Sequence, residues 1–574
     1  MSDTASGEFE PSDPASERAE WRLRPWLLAA LFGAAGLLVR LATDGHDEDP
    51  GRIAVAAFLL FGALAAGFTL EPGRWKAPSL FALLVGLVMA GLAWRAVRYG
   101  ENLPDEEYGF AAGAVASALA LPLFQADFHR RRLATPYREI FGHVWSDAIS
   151  AAGMLAFTGI SWVVLAFLSE LFVLLKIELL RDLMQKGWFA WTFSGLAAGA
   201  ALGTIRNQLK VLATMQTVVL LVASLLAVPL ALGLVVFLLA TVVSGPQVLW
   251  DATRSATPLL LACAAGSFVL ANAIARQDDA AMTRSRVMRA AGLVLAAVIL
   301  PLAVFAAVSM GLRLDQYGLA PERLWALVAI VVACVCGVGY WVALLRGRKG
   351  GWAGPLRQAT FHVGLFVCGL AVLLALPVLD FGAISTRNQV ARLASGAVPV
   401  DEFDFAALRW DFGEPGRRAL RGMAQSGNAK VAELARSTLA QTERVYARAS
   451  SVNRTRREIG LTVRPEDPAL RELVLDYLVA RPWRCERFCA AVDLGPGIEG
   501  RRRVALVEGS DWMQLNLPEP PGTERTSVVD LPESAELTGD STIEIREVSR
   551  RYIFVDGKPI GEPLDELEAD APPR

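Results

Sequence analysis

The sequence predicts an all-α polytopic membrane bundle of about eleven transmembrane helices, followed by a soluble α+β C-terminal domain. Three observations predict it. Of the 574 residues, 53% are hydrophobic and only 20% are charged, whereas soluble globular chains average about 25% charged; mean hydropathy is +0.38. From Trp26 to Leu379 the charges fall in short clusters between apolar runs, each near the roughly 20 residues that a helix needs to cross a hydrocarbon core. After Asp380 the chain reads like a soluble protein, and its last stretch changes from helical spacing to short β-branched runs.

The spans fall at 26–43, 53–70, 78–95, 108–125, 150–175, 188–205, 211–243, 256–275, 290–311, 323–345 and 360–379. Tryptophans stand at many of their ends, among them Trp26, Trp75, Trp94, Trp188 and Trp352, as expected of an interfacial aromatic belt. The run 211–243 is too long for one perpendicular crossing and carries Pro229 near its middle, so it is either one tilted, kinked helix or a hairpin of two. Cytoplasmic loops are enriched in Lys and Arg, and this decides between them. A single crossing puts 19 Lys and Arg on the side of the N-terminus and 9 on the other; a hairpin at Pro229 gives 14 and 14. The single helix keeps the bias. The expected topology is therefore eleven spans in the cell inner (plasma) membrane, with the N-terminus cytoplasmic and the C-terminal domain extracytoplasmic.

The domains expected are a disordered cytoplasmic leader over 1–24, a transmembrane helical domain over 25–381, an extracytoplasmic helical segment over 382–480, and a small β-rich segment over 481–574. Strands are expected at Val504–Val507, Met513–Leu517, Thr542–Val548 and Tyr552–Val555, with Asp556-Gly557 as a hairpin turn. No cleavable signal peptide is read, because the first apolar run ends at an acidic loop without a small-residue cleavage site.

Motifs for chemistry are sparse. The four histidines, His46, His129, His143 and His362, never stand at i, i+4, and no P-loop, HExxH, GxSxG or GxGxxG opening a helix is present. No catalytic residue, metal site or cofactor is implied, and an enzyme is the less favoured class. A net charge of −2 offers no basic field for nucleic acid. The intramembrane polar residues singled out are Glu170, Gln216 and Asn272. Glu170 reads as a proton or cation site, or more simply as a carboxylate close enough to the surface to reach headgroups, since Lys176 follows within two turns. Gln216 and Asn272 are candidates for hydrogen bonds between helices. Pro229 is a candidate hinge, with a static kink as the simpler reading. Gly195, Gly199 and Gly203 form a GxxxGxxxG row that lets helices approach closely, inside the bundle rather than across a dimer. Cys485 and Cys489 form a candidate disulfide if the backbone after Pro482 is irregular enough. Arg130, Arg131 and Arg132 are placed to meet anionic lipid. The loop at Asp493 and Glu499, AVDLGPGIEG, reads as a structural turn rather than a calcium site, having too few carboxylates.

Several landmarks carry a resemblance. They are LFVLLKIELLRDLMQKGWFAWTFSGLA from Leu171, GPQVLWDATRSATPLLLA from Gly245, ANAIA from Ala271, and ISTRNQVARLASGAVPVDEFDFAALRW from Ile384. In order and spacing these resemble the bacterial multi-pass membrane family known as domain of unknown function 4153, over roughly residues 140–415. The resemblance implies topology and no mechanism, for the family has no established activity. The function classes that remain are a protein that moves or binds a lipid or small solute, and an envelope sensor or scaffold acting through its extracytoplasmic C-terminal domain. The partners expected are membrane lipids and, for the second class, an envelope protein.

Overall fold

The computed structural model describes residues 21–45, 49–104, 106–245, 256–348, 351–441, 460–480, 485, 488–496, 501–508, 511–518, 528–530, 553–555 and 558–560. The chain divides into two compact units, Met1–Arg444 and Val445–Arg574.

The first unit is helical. Its elements are α1 (Arg24–Thr43), α2 (Pro50–Thr69), α3 (Lys76–Tyr99), α4 (Glu106–Gln125), the short α5 (Phe128–Arg131), α6 (Tyr137–Leu174), the short α7 (Leu179–Met184), α8 (Gly187–Asn207), α9 (Leu209–Ser244), α10 (Ala256–Ala275), α11 (Arg286–Tyr317), α12 (Pro321–Arg346) and α13 (Ala353–Ala375). Each expected span falls on one of these long helices. Among the described residues ten helices are long and apolar enough to cross a membrane. The remaining expected span, α8, is rich in glycine and alanine and so less apolar, but it runs antiparallel along the whole of α1. Gly203 faces Pro25, Gly199 faces Leu28, Gly195 faces Phe32, and Gly187 faces Arg40. A helix that matches a transmembrane helix turn for turn lies in the same layer. The chain is thus a multi-pass membrane bundle.

Local rules account for the helix ends. Asp49 caps α2, its carboxylate accepting the N–H groups of Gly51 and Arg52 at 2.8 and 3.2 Å, and Pro50 occupies the first turn, where no N–H is needed. The long uncharged run is one helix, α9, with Pro229 inside it. Its length is reconciled with a bilayer by where it joins the bundle. Leu220 packs with Phe141 and with Ala273, two residues before the end of α10. From Leu220 to its end the helix measures about 37 Å at 1.5 Å per residue. The start of α6 behaves alike. This helix begins at Tyr137 rather than near residue 150.

Two apolar cores result. One joins α1, α2, α6 and α8 through Leu28, Phe32, Phe68, Met154 and Leu202. The other joins α9 to α13 through Leu260, Leu295, Leu302, Tyr340 and Leu356, among others. Helices α4 and α13 run side by side between them, with Gly109 beside Ala375 and Phe128 beside Phe361.

The ends of the helices gather on two faces. On one, Arg24 donates to the carbonyls of Leu70 and Arg206 at 2.9 and 3.3 Å, Gln125 donates to that of Phe68, and Arg357 to that of Ala275. This N-terminal face holds the arginine-rich loops. On the other, Trp325 stacks on Tyr108 and meets Phe381, and Gln389 donates to the Tyr317 carbonyl. Here lie α14 (Phe381–Ala394), α15 (Phe405–Trp410), α16 (Gly413–Met423) and α17 (Ala429–Ala440), which share a small core of Phe403, Phe405, Leu408, Phe412, Leu420 and Val431. The start of α1 and this helical layer are therefore on opposite faces of the bundle.

The second unit carries β1 (Gly460–Arg464), α18 (Pro468–Ala480), β2 (Phe488–Pro496), β3 (Arg502–Glu508), β4 (Asp511–Leu517) and β5 (Val528–Asp530), a sheet in the order β1-β2-β3-β4-β5. Strand β1 is parallel to β2, so a crossover is required, and α18 supplies it; the other pairs are antiparallel. Leu470, Val474 and Leu478 of α18 pack on Leu461, Val463, Ala491, Val504, Leu506 and Leu515. Strands β6 (Ile553–Val555) and β7 (Lys558–Ile560) form a separate antiparallel pair. Residues 460–480, expected from sequence to continue the helical segment 382–480, form β1 and α18 of this sheet unit. The strand expected at Thr542–Val548, the turn Asp556-Gly557 and Glu499 lie outside the described residues. Asp493 spends its carboxylate on Arg502 and on the Gly495 N–H.

Candidate functional site

The three intramembrane polar residues singled out from sequence do not come together. Glu170 sits exposed in the last turn of α6, and Gln216 is half-buried in the first turns of α9. Asn272 is buried and stands at a junction of four helices. Its Nδ2 donates to the Phe268 carbonyl at 2.8 Å and to Tyr340 Oη at 2.6 Å. Its Oδ1 accepts from Thr360 at 2.9 Å and from Tyr137 at 3.3 Å. All four hydrogen-bonding positions of the amide are filled from within the chain. This is a knot that ties α6, α10, α12 and α13, with nothing left over for a ligand. One turn beyond, Arg357 closes the end of α10 by donating to the carbonyls of Ala275 and Arg276, and it pairs with Asp279 at 2.8 Å.

Ten residues along α6 from Tyr137, Asp147 makes a second polar contact. Its Oδ1 accepts from Gln125 at 3.3 Å and pairs with Arg206 at 3.5 Å, both side chains of the ion pair being largely buried. The first three turns of α6 therefore bridge the two helix groups, fixed by hydrogen bonds at either end.

Beside this second contact the N-terminal face opens into a cavity of about 290 Å³. It is built from the α2–α3 turn, the end of α4, the residues around α5, and Arg206 at the end of α8. Four cations line it, Arg74, Lys76, Arg130 and Arg206, against two carboxylates, Glu71 and Asp127. Asp127 lies 3.8 Å from Arg74. Phe124 forms an aromatic wall, stacked between Phe81 and His129. Trp75, 62% exposed at the rim, has the Lys76 ammonium over its ring at 5.9 Å. An indole beside cations is the pairing that marks the headgroup level of a bilayer. From sequence, Arg130 is expected to meet lipid and Trp75 to sit at the interface; no local pattern joins them to Arg206, which arrives from a helix far along the chain.

The other candidates fall as follows. Gly195, Gly199 and Gly203 lie on the backbone of α1, within the chain. Pro229 lies inside a continuous helix. Cys485 and Cys489 are paired as a disulfide, their Cα atoms 5.4 Å apart.

Bundle and site together define a multi-pass integral membrane protein with a basic, aromatic cavity at one face. The family described as Domain of unknown function (DUF4153) matches residues 53–421, from the first turn of α2 into α16, and the chain belongs to that family. No curated protein and no solved structure matches it.

Proposed function

We propose that this protein binds an anionic phospholipid through the cavity on its N-terminal face, and that this face is cytoplasmic. The observation that carries the reading is the cavity itself. It has the size of a headgroup, is rimmed by Trp75, and holds an excess of Arg and Lys over carboxylates. A phosphate diester satisfies guanidinium donors in bidentate fashion, while its acyl chains extend past the rim into the bilayer beside the exposed apolar faces of α3, where Leu80, Leu83, Leu84 and Leu87 face outward.

The test is native mass spectrometry of the purified full-length protein in mixed micelles. Phosphatidylglycerol is expected to be retained over phosphatidylcholine, and the preference to fall with salt. Arg74→Ala combined with Arg130→Ala removes two cations worth about 1 kcal/mol each at a membrane surface, so binding is expected to weaken about thirtyfold. Equal retention of the two lipids, or displacement by millimolar inorganic phosphate, would end the proposal.

The orientation rests on the bias of 19 basic residues against 9 between the two faces. On this reading the cavity lies in the cytoplasmic leaflet, and the layer α14–α17 lies outside. A reporter fused after Arg574 that is active only in the cytoplasm would reverse it.

A further inference from the structure

The buried ion pair beside the basic cavity is loosely made. The side chains of Asp147 and Arg206 are each 14% exposed. A carboxylate taken out of water needs short, charge-assisted bonds to offset its lost hydration. The chain makes such bonds elsewhere, at 2.7 Å between Arg131 and Glu139 and at 2.8 Å between Arg357 and Asp279. Asp147 makes none of that length. Its Oδ1 lies 3.3 Å from Gln125 Nε2 and 3.5 Å from Arg206, beyond the usual range of about 2.7–3.2 Å. Its Oδ2 is buried and has no hydrogen-bond partner, and neither has Gln125 Oε1.

These two orphaned atoms are both acceptors, and the groups that carry them already touch through their other corners. The amide is fixed the right way round, because Nε2 also donates to the Phe68 carbonyl at 2.8 Å. A carboxylic acid and a primary amide form a cyclic pair, in which the amide N–H donates to one acid oxygen and the acid O–H donates to the amide oxygen. The first bond of such a pair is present, from Nε2 to Oδ1. What is missing is one hydrogen, and one hydrogen on Oδ2 would relieve both buried acceptors, each of which otherwise calls for an explanation.

The charged and titratable groups on the elements around this part of α6 are Arg206 of α8, Arg24 of α1, Asp127 past the end of α4, Lys210 of α9, Arg357 of α13 and His143 on α6 itself. Among the described residues Arg206 is the one that pairs with the Asp147 carboxylate. Arg206 and Gln125 both line the cavity. We propose that Asp147 is a proton site, its acid form bonded to Gln125, and that proton uptake there releases Arg206 to the phosphate of the bound headgroup. The inference rests on the reading of the cavity as a lipid site. The proton is drawn from water at the cavity and reaches either oxygen, since a carboxyl group turns readily about its last bond. The acid is neutral, Arg206 keeps its charge, and the phosphate diester takes the place of Asp147 as its counter-charge.

The experiment uses the full-length protein in detergent, followed by infrared difference spectroscopy and by native mass spectrometry with phosphatidylglycerol. Both run from about pH 8 to about pH 5.5, above the range in which ordinary carboxylates titrate. On acidification a carboxylic-acid carbonyl band grows, and it is missing in Asp147→Asn. Retention of phosphatidylglycerol rises about fivefold, the contribution of one cation at a membrane surface. Asp147→Asn, a permanent mimic of the acid, retains the lipid at the higher level throughout; Asp147→Ser serves instead if the amide folds poorly. By reciprocity, phosphatidylglycerol added at fixed pH enlarges the band. No band, or the same band in the variant, overturns the proton site whether or not any lipid binds. A band with retention that does not change with pH overturns the link to Arg206. A rise in retention that persists in Asp147→Asn belongs to His129 or His143 and overturns it too. Retention of no phosphatidylglycerol at any pH ends the lipid reading and the link with it, while the band still decides the proton site.

Discussion

Replacing Gly199 with alanine is the sharpest test of the bundle. A Cβ built there falls 2.1 Å from the Leu28 carbonyl oxygen and 2.5 Å from its carbon. Ordinary contact begins at 3.4 Å, so α8 and α1 must part by more than 1 Å. Both colliding groups are backbone, and no rotamer change relieves them. A gap of 0.5–1 Å forfeits about a quarter to a half of each van der Waals contact along the seam, and overpacking of this kind costs about 1–3 kcal/mol; the upper figure is expected here, because the seam runs the length of both helices. Gly159 on α6 is the control, for a Cβ there meets nothing within 4 Å. Alanine at that position removes only glycine's excess chain entropy and is expected to be neutral or to stabilise by up to about 1 kcal/mol. The assay is thermal unfolding of the purified variants in detergent, followed by tryptophan fluorescence. Gly199→Ala should melt well below wild type and Gly159→Ala at or above it. Identical melting of the two variants would refute the close α1–α8 approach, and with it the reason for counting α8 as a span.

Tyr340→Phe removes a hydroxyl shared by Asn272 and Thr360. Inter-helix hydrogen bonds in membranes average about 0.6 kcal/mol and reach about 1.7, so a loss toward the upper value is expected, read as a lower melting temperature in the same assay. In the second unit, hydrogen bonds from Arg502, aided by the Leu470 and Ala469 N–H groups, hold the Asp467 carboxyl below its ordinary value. A lowered folded-state pKa gives stability that is present above the ordinary carboxylate range, near 3.9, and is lost as pH falls through the lowered value. Arg502→Ala should therefore unfold the sheet at a higher pH than wild type during acid titration, as followed by amide hydrogen exchange in β2 and β3; coincident acid transitions would argue against the Arg502–Asp467 link.

Much of the bundle was legible because bilayer thickness sets the length of an apolar run, and run length survives without knowledge of any contact. The glycine row of α8 was legible for a related reason, since a four-residue spacing puts three small residues on one face whatever the partner is. The extra turns of α6 were not. They carry Arg138, Glu139, His143 and Asp147, charges at which a hydropathy reading stops, although Tyr137, Phe141 and Trp145 continue the apolar side at four-residue spacing. Strand β2 hid in FCAAVDLGP, where small residues and a glycine resemble a loop; Cys489, Ala490, Ala491 and Val492 are all buried, so the strand lacks the alternation of apolar and polar residues by which a half-exposed strand is read. Asn272 stood out as an amide in an apolar run, but its full complement of partners is a tertiary fact. The basic cavity draws on the α2–α3 turn, the residues around α5, and Arg206, so no local pattern announces it.

The pairing of α1 with α8 also has a bearing on biosynthesis. Arg24 and the Arg206 carbonyl it bonds are 182 residues apart in the chain. At about 5–20 residues per second of translation, the first helix waits some 10–40 seconds in the lipid before its mate is made. Throughout that interval a groove in its surface, shaped for glycines, is open to acyl chains or to a chaperone of membrane insertion. Helix α1 is thus made well before its final neighbour, and a chain interrupted before α8 would leave that surface uncovered for quality-control proteases to find.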